Sequence, residues 1–497
     1  MDIGIDDMAR RRFSNLDAIL LRVDNPIDPM MVTGVLVLGA PIDIEQLKAT
    51  IEARLLRFDR FRQRVVPSRL PWRTPYWEDD FGFDLDYHVK KLVLPPPGDQ
   101  AALQRIVSKL VGTPLDMARP PWQVHLVEKY GPGCALIYRM HHSLADGVAL
   151  IHVILSVADT EAGDSQPSTE QAYSQRGPGV IRRWRARTGR RPVRRLMRGG
   201  LRTLGYLRRG PELAGLAGDA VTDVSDLLLS PETDTPLRGA PSLPKQVAWS
   251  EPVPLEEIKT IGRRLGGTVN DVLLTALAGA LRRYLQARQD LPDDVSLRAL
   301  VMVNRRPAGA EAELGNQISA VFLPLPVEIA DPAERLVELK RRMDGLKDSL
   351  QPAIILRGLE VVSRAPSAAL AWAVSFLTSR ATVLLTNVKG PQERLYLAGA
   401  PLEEMMFWIP RYGGIGLGIS ILSYAGQVRL GILSDKDIVP DPENIIAGFR
   451  DEFDVLLALA LKVKPPPSVK ELSALLDDAL ATLDELLSGD AEEHGAR

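Results

Sequence analysis

Two adjacent histidines, followed at fixed distance by an aspartate and a glycine, are the residues of this chain best suited to chemistry: His141-His142-Ser143-Leu144-Ala145-Asp146-Gly147. A neutral imidazole, with an ordinary pKa near ~6.5, can take a proton from a hydroxyl, amine or thiol at cellular pH. A base held in position contributes roughly 10²–10⁴ in rate. Asp146 lies close enough to His142 to bond the turn, or to pair with an arginine, and so hold the ring. Gly147 admits backbone angles that a β-carbon forbids. Cys134 to Met140 reads as a short apolar strand and Val148 to Ser156 as an apolar helix. The histidines are therefore expected at a strand-to-helix turn, where sheets open ligand crevices. An ordinary buried turn with a hydrogen-bonded histidine pair is the alternative reading.

Other chemistries fit less well. His141, His142 and Asp146 include metal-ligand types, yet adjacent histidines on an extended segment point to opposite sides. His88, His125, His152 and His494 are isolated, so the sequence supplies no second ligand cluster. No metal or other cofactor is expected. A serine-nucleophile hydrolase would need a Gly-x-Ser-x-Gly elbow, and the sequence has none.

The elements that must position the histidines alternate along the chain. Val32 to Leu38 is a strand candidate. Asp43 and Gln46 form a capping-box signature before a helix with Ile44, Leu47, Ile51 and Leu55 on its apolar face. From about Glu161 to Ser242 a Ser/Gln/Pro stretch gives way to arginine-rich and then Gly/Pro-punctuated sequence, the best linker candidate. Beyond it, Thr268 and Asp271 cap a helix through Leu273, Leu277, Leu281 and Tyr284. Leu297 to Val303 and Gln317 to Leu325 read as strands, and Asp331-Pro332 opens another helix. Thr382 to Asn387, Gly416 to Ser423 and Gln427 to Leu433 are further strands, the last two joined in hairpin fashion by Tyr424-Ala425-Gly426. After Pro465-Pro466-Pro467, Ser468 and Glu471 cap a final amphipathic helix.

The whole chain sets bounds. Its 497 residues suit two or more domains, each with its own core. A hydrophobic share of 45% and a charged share of 25% describe a water-soluble globular protein, and a net charge of −2 gives no reason to expect nucleic acid. The single cysteine, Cys134, sits in an apolar strand and suggests a reducing, cytoplasmic setting. The opening residues lack a signal-peptide pattern. The longest candidate, Ala368 to Leu377, is too short to span a membrane and is expected as a buried helix.

The heptad is that of the HHxxxDG superfamily of CoA-dependent acyltransferases and peptide-synthetase condensation domains. Within it the chain resembles the bacterial wax ester synthase/diacylglycerol acyltransferase family. Segments in the same order carry the resemblance: Ser14-Asn15-Leu16-Asp17, Phe83 to His88, Pro120-Pro121-Trp122, the heptad, Val269-Asn270-Asp271-Val272, Leu314-Gly315-Asn316-Gln317 and Thr386-Asn387-Val388-Lys389-Gly390-Pro391. Two departures bear on substrate preference more than on chemistry: Pro-Pro-Trp replaces Pro-Leu-Trp, and Lys389 replaces the first proline of Ser-Asn-Val-Pro-Gly-Pro.

The resemblance implies an α/β fold of two pseudo-symmetric chloramphenicol-acetyltransferase-like domains with a tunnel at their interface. The boundaries expected are residues 1–160 for the domain with the heptad, 161–243 for the linker and 244–497 for the second domain. It also implies acyl-CoA as donor and diacylglycerol or a long-chain alcohol as acceptor, giving triacylglycerol or wax ester. His142 would be the general base, with His141, Asp146 and Gly147 supporting it. Asn270, at a helix start, is the candidate polar group beside the oxyanion; supporting the helix cap is its alternative. Trp122, Asn387, Lys389 and Gly390 are candidates for substrate binding. A tryptophan after two prolines also suits a packing anchor, and Lys389 a solvated turn.

Arg182 to Arg209 interleaves arginines with Trp184, Leu196, Leu201, Tyr206 and other apolar residues. Such a segment can lie on an anionic lipid surface, each arginine contributing about 1 kcal/mol there. The expected location is thus cytoplasmic, peripheral to the inner membrane or to lipid droplets. Two other function classes share the features above. A condensation-type acyltransferase would use carrier-bound thioesters, and a non-catalytic protein would use the fold only to sit on lipid.

Overall fold

The computed structural model describes residues 11–68, 74–145, 153, 156–161, 235–289, 295–304, 318–347, 349, 351–363, 365, 367–463 and 480. Asp146, Gly147, Asn316, the Arg182–Arg209 segment, most of the Val148–Ser156 stretch and, Leu480 apart, the final amphipathic segment lie outside them.

In chain order, the first half supplies α1 (Asn15–Val23), β1 (Met31–Leu38), α2 (Ile44–Arg54), β2 (Val89–Val93), α3 (Gln100–Val111), β3 (Trp122–Tyr130) and β4 (Gly133–His141). The second half supplies β5 (Lys245–Trp249), α4 (Leu255–Leu265), α5 (Val269–Ala287), β6 (Leu297–Asn304), β7 (Ile318–Leu325), α6 (Pro332–Lys347), α7 (Gln351–Val362), α8 (Ser367–Thr378), β8 (Val383–Lys389), β9 (Tyr396–Leu397), β10 (Ala400–Trp408), β11 (Leu417–Tyr424), β12 (Gln427–Asp435) and α9 (Pro442–Lys462).

Local chemistry sets many of the boundaries. Ser14 caps α1 by accepting from the Asp17 N–H, and Asp43 caps α2 by accepting from Glu45. Thr268 and Asp271 close a reciprocal capping box on α5. The β11–β12 turn uses positive φ at Ala425 (47°) and Gly426 (75°), the pair that a tight hairpin requires.

The two halves are both mixed α/β. The first sheet runs β9-β10-β1-β4-β3-β2, antiparallel throughout except for the β3–β2 pair. The second runs β7-β6-β8-β11-β12-β5, with parallel pairs on both sides of β8. Strands β9 and β10, from the second half of the chain, complete the first sheet by pairing β10 with β1. Trp408, fully buried at the end of β10, donates its indole N–H to Ala248 of β5 and meets Trp249 edge-on at 5.5 Å. One strand thus fastens the two sheets together.

Every residue of β4 is buried because both its faces are covered. Cys134, Leu136, Tyr138 and Met140 face the core that includes Leu47 and Ile51 of α2, while Ala135 and Ile137 face the core beneath α3. Gly34 on β1 is required by that packing, since a β-carbon there would stand 2.1 Å from the Tyr138 ring. The run Ala368 to Leu377 does form a helix, α8, but not a buried one. Leu370 is buried and Trp372 is 70% exposed; composition alone could not reveal that only one side of the helix finds a partner.

Candidate active site

β4 ends at His141, and the chain turns at once. The His141 N–H donates to the Pro121 carbonyl at 2.9 Å, the His142 N–H to the Met30 carbonyl at 2.7 Å, and Leu144 closes the turn onto His141 at 3.0 Å. The dipeptide backbone is therefore held from two sides, by the strand that follows Pro121 and by the segment that leads into β1. His141 is 1% and His142 9% exposed.

His141 has a fixed ring. Its Nδ1 accepts the Ser143 N–H at 3.2 Å and lies 2.8 Å from the Ser143 hydroxyl. A neutral ring that accepts at Nδ1 carries its proton on Nε2, which stands 3.8 Å from the Asp24 carboxylate. Asp24 in turn accepts the Met30 N–H at 2.7 Å. The segment that holds His142 through Met30 thus also faces His141.

An arginine that sequence reading did not single out grips the turn. Arg60, from the short helical turn Asp59–Phe61, donates to the carbonyls of Leu144 at 2.9 Å and Ser143 at 3.4 Å. Its other guanidinium nitrogen pairs at 3.6 Å with Asp17, a fully buried carboxylate from the Ser14-Asn15-Leu16-Asp17 segment. The only prior signal was that aspartate inside an apolar helix, which needs a cation once buried.

The remaining candidates separate. Asn270, in the first turn of α5, and Asn387, on β8, meet through a hydrogen bond of 2.7 Å from the Asn387 amide to the Asn270 oxygen. With its oxygen engaged, Asn270 presents its own NH₂ as a donor. Lys389 is exposed, two residues on and on the same side of β8 as Asn387. Gly390 is buried, and a β-carbon there would lie 2.5 Å from the Ser423 carbonyl to which its N–H donates. Trp122 is fully buried. Its indole donates to Phe61 at 2.9 Å and stacks on His88 at 4.5 Å, and its carbonyl lies 2.8 Å from His88 Nδ1.

Two further basic side chains lie buried near the turn. Arg139 donates to Gln123, Met31 and the Thr113 carbonyl, and burial lowers its guanidinium to about 10. His125 is 5% exposed with both ring nitrogens unpartnered; burial first, then the charges of Arg139 and Lys90, push it down to about 4. On the other face of the sheet, Leu36, Leu136, Tyr138 and Met140 with Leu47 and Ile51 line an apolar cavity of about 60 Å³.

At the interface of the halves, four buried charges close on one another. Lys245 Nζ lies 2.7 Å from Asp28 and 2.6 Å from Asp435, while the Arg411 guanidinium lies 2.8 Å from Asp28 and 2.6 Å from Asp435. Two cations and two anions cancel. Asp28 belongs to the segment whose Met30 carbonyl holds His142.

The chain has known relatives. Residues 13–273 match the model of the wax ester synthase/diacylglycerol acyltransferase catalytic domain, and residues 314–457 that of the WS/DGAT C-terminal domain. A probable diacylglycerol O-acyltransferase of Mycobacterium tuberculosis, tgs1, is 28% identical over 459 residues, covering 91% of this chain and 96% of its own. In fold the chain is similar to the wax ester synthase/diacylglycerol acyltransferase of Marinobacter aquaeolei VT8, with a TM-score of 0.65, 22% identity and coverage of 90% and 99% of the two chains. It is also similar to the trichothecene 15-O-acetyltransferase TRI3 of Fusarium sporotrichioides, at TM-score 0.57, 12% identity and coverage of 89% and 95%. With both domain models matched in order along one chain, the protein belongs to the wax ester synthase/diacylglycerol acyltransferase family.

Proposed function

We propose that the protein moves a fatty acyl group from acyl-CoA to the hydroxyl of diacylglycerol or a long-chain alcohol, with His142 as the general base and the acceptor drawn from a lipid surface in the cytoplasm. His142 takes the acceptor's proton as its oxygen attacks the thioester carbonyl. The tetrahedral intermediate then collapses, the C–S bond breaks, and the imidazolium returns the proton to the departing CoA thiolate. The ring ends as it began, so no covalent acyl-enzyme is required. Asn270, its oxygen held by Asn387, offers amide donors of the kind an oxyanion needs, where one such donor is typically worth ~3–4 kcal/mol in the transition state. His141 and the Asp24 carboxylate support the turn that presents His142, and the supporting roles of Asp146 and Gly147 rest on the resemblance.

The observation that carries this reading is the pinned backbone. A general base must be held in place, and both peptide N–H groups of the histidine pair are tied to carbonyls from different segments at 2.7 and 2.9 Å. The test is release of CoA thiol from one acyl-CoA in the presence of hexadecanol or diacylglycerol, with the lipid product identified. His142→Ala should lose roughly 10²-fold or more of the turnover while its thermal transition stays within a few degrees of the parent. Turnover within twofold of the parent would dismiss His142 as the base.

A further inference from the structure

Helix α8 presents an outer face that a water-facing helix rarely has. It contains no charged residue from Ser367 to Thr378. Its inner side is fixed by Leu370, buried with Ile19, Val23 and Met30. On its outer side Ala368, Ala371, Trp372 and Ser375 are exposed, and the Trp372 ring stacks on Phe376 at 5.6 Å. Ile354 of the neighbouring α7 is also exposed. An amphipathic surface helix ordinarily carries its charges where these residues stand, and an exposed indole is a side chain suited to a boundary between water and an apolar medium.

The rim of this face is cationic. Arg380 lies over the Phe376 ring at 4.8 Å, and Arg238 donates to the Ser379 carbonyl at 2.8 Å. From Ala353 to Arg380 the sequence has one acid, Glu360, and among the described residues α7 adds Arg357 to Arg380. An apolar centre with a positive rim complements an anionic lipid surface. A second copy of the same face would bring like charges together across a two-fold axis.

We propose that α8, with Trp372 at its centre, docks the protein on an anionic lipid surface. The same contact sets the histidine turn just behind that surface, because Met30, against which Leu370 packs, holds the His142 N–H. The docking claim stands by itself; the claim that the acceptor is delivered from the docked surface rests on the proposed acyl transfer.

The experiment uses the full chain and vesicles of phosphatidylcholine with or without phosphatidylglycerol. Partition is read by co-sedimentation, and acyl transfer is read on vesicle-embedded diacylglycerol and on a water-soluble short-chain alcohol. Trp372→Glu should keep the parent's thermal transition and its rate on the soluble alcohol. Its partition to phosphatidylglycerol vesicles should weaken by roughly tenfold or more, the loss expected for removing a buried indole and adding a like charge, and its rate on embedded diacylglycerol should fall in parallel. Trp372→Phe should restore most of both. Unchanged partition of Trp372→Glu would overturn the proposal, as would equal binding of the parent to vesicles lacking phosphatidylglycerol. A parent dimer that Trp372→Glu converts to monomer, with vesicle binding intact, would assign the face to a second copy and overturn it too. Failure of the parent to acylate either acceptor would instead sink the proposed reaction, leaving sedimentation to decide the docking.

Discussion

At the scale of single residues, the chain places two histidines in opposite circumstances. His142 sits at a turn with its backbone tied down, whereas His125 lies under α3 with no partner for either ring nitrogen. Burial and the nearby Arg139 and Lys90 hold His125 neutral down to about pH 4, while in the unfolded chain it protonates near ~6.5. Between those values the unfolded state binds the extra proton, so stability falls as the pH drops through this window and is fully present above it. The expected loss from His125 between pH 7 and pH 5 is about 2 kcal/mol. His88, also lowered by burial, acts in the same direction. Urea unfolding of the parent and of His125→Leu at both pH values checks this: the variant should show a smaller drop by roughly that amount, and an identical drop would refute the argument. Sequence alone marked His125 only as isolated. What makes it a stability switch is the face of β3 it occupies and the arginine across the sheet, which pairing decides.

At the scale of elements, the strand and turn that carry the heptad were legible, since Cys134 to Met140 is apolar on both parities except at Arg139 and β4 is buried on both faces. The α5 capping box and the β11–β12 hairpin were legible for the same reason: each is a short-range signal satisfied within a few residues. β10 was not. Ala400 to Trp408 carries Glu403 and Glu404 in its middle and lacks clean alternation, and its partner β1 lies hundreds of residues away in sequence. The Asn270–Asn387 contact is of the same long-range kind. Arg60 illustrates the cost of missing such contacts, because the helical turn Asp59–Phe61 brings that side chain to the Ser143 and Leu144 carbonyls. One guanidinium nitrogen donates to both carbonyls while the other stands in ion-pair range of Asp17, a division that a lysine's single ammonium cannot reproduce. Arg60→Lys should therefore keep the charge opposite Asp17 but loosen the turn. Turnover should fall about tenfold or more with KM nearly unchanged, as expected when a group that positions the base is displaced. A rise in KM at constant turnover would show instead that Arg60 serves binding.

At the scale of the molecule, the halves expected as 1–160 and 244–497 share a sheet, a tryptophan pair and a buried set of four charges. The first sheet borrows β9 and β10 from the second half, and Trp408 locks them to β5. The charge set joins Asp28 from the first half with Lys245, Arg411 and Asp435 from the second. Buried ions of this kind add little over apolar packing while complete, but losing one partner strands a charge in a poorly solvated place and costs about 3–5 kcal/mol. Asp28→Asn leaves two cations facing one anion, and Lys245→Met leaves two anions facing one cation. Made together, the two substitutions restore neutrality around the remaining Arg411–Asp435 pair. A double-mutant cycle by urea unfolding should therefore show each single variant strongly destabilised and the double variant well short of their sum, with a coupling of about 2 kcal/mol or more. Because Asp28 lies on the segment whose Met30 carbonyl holds His142, the singly charged variants should also lose turnover and the neutral double variant should regain part of it. Strict additivity in stability would mean that the four side chains act as independent surface-like pairs.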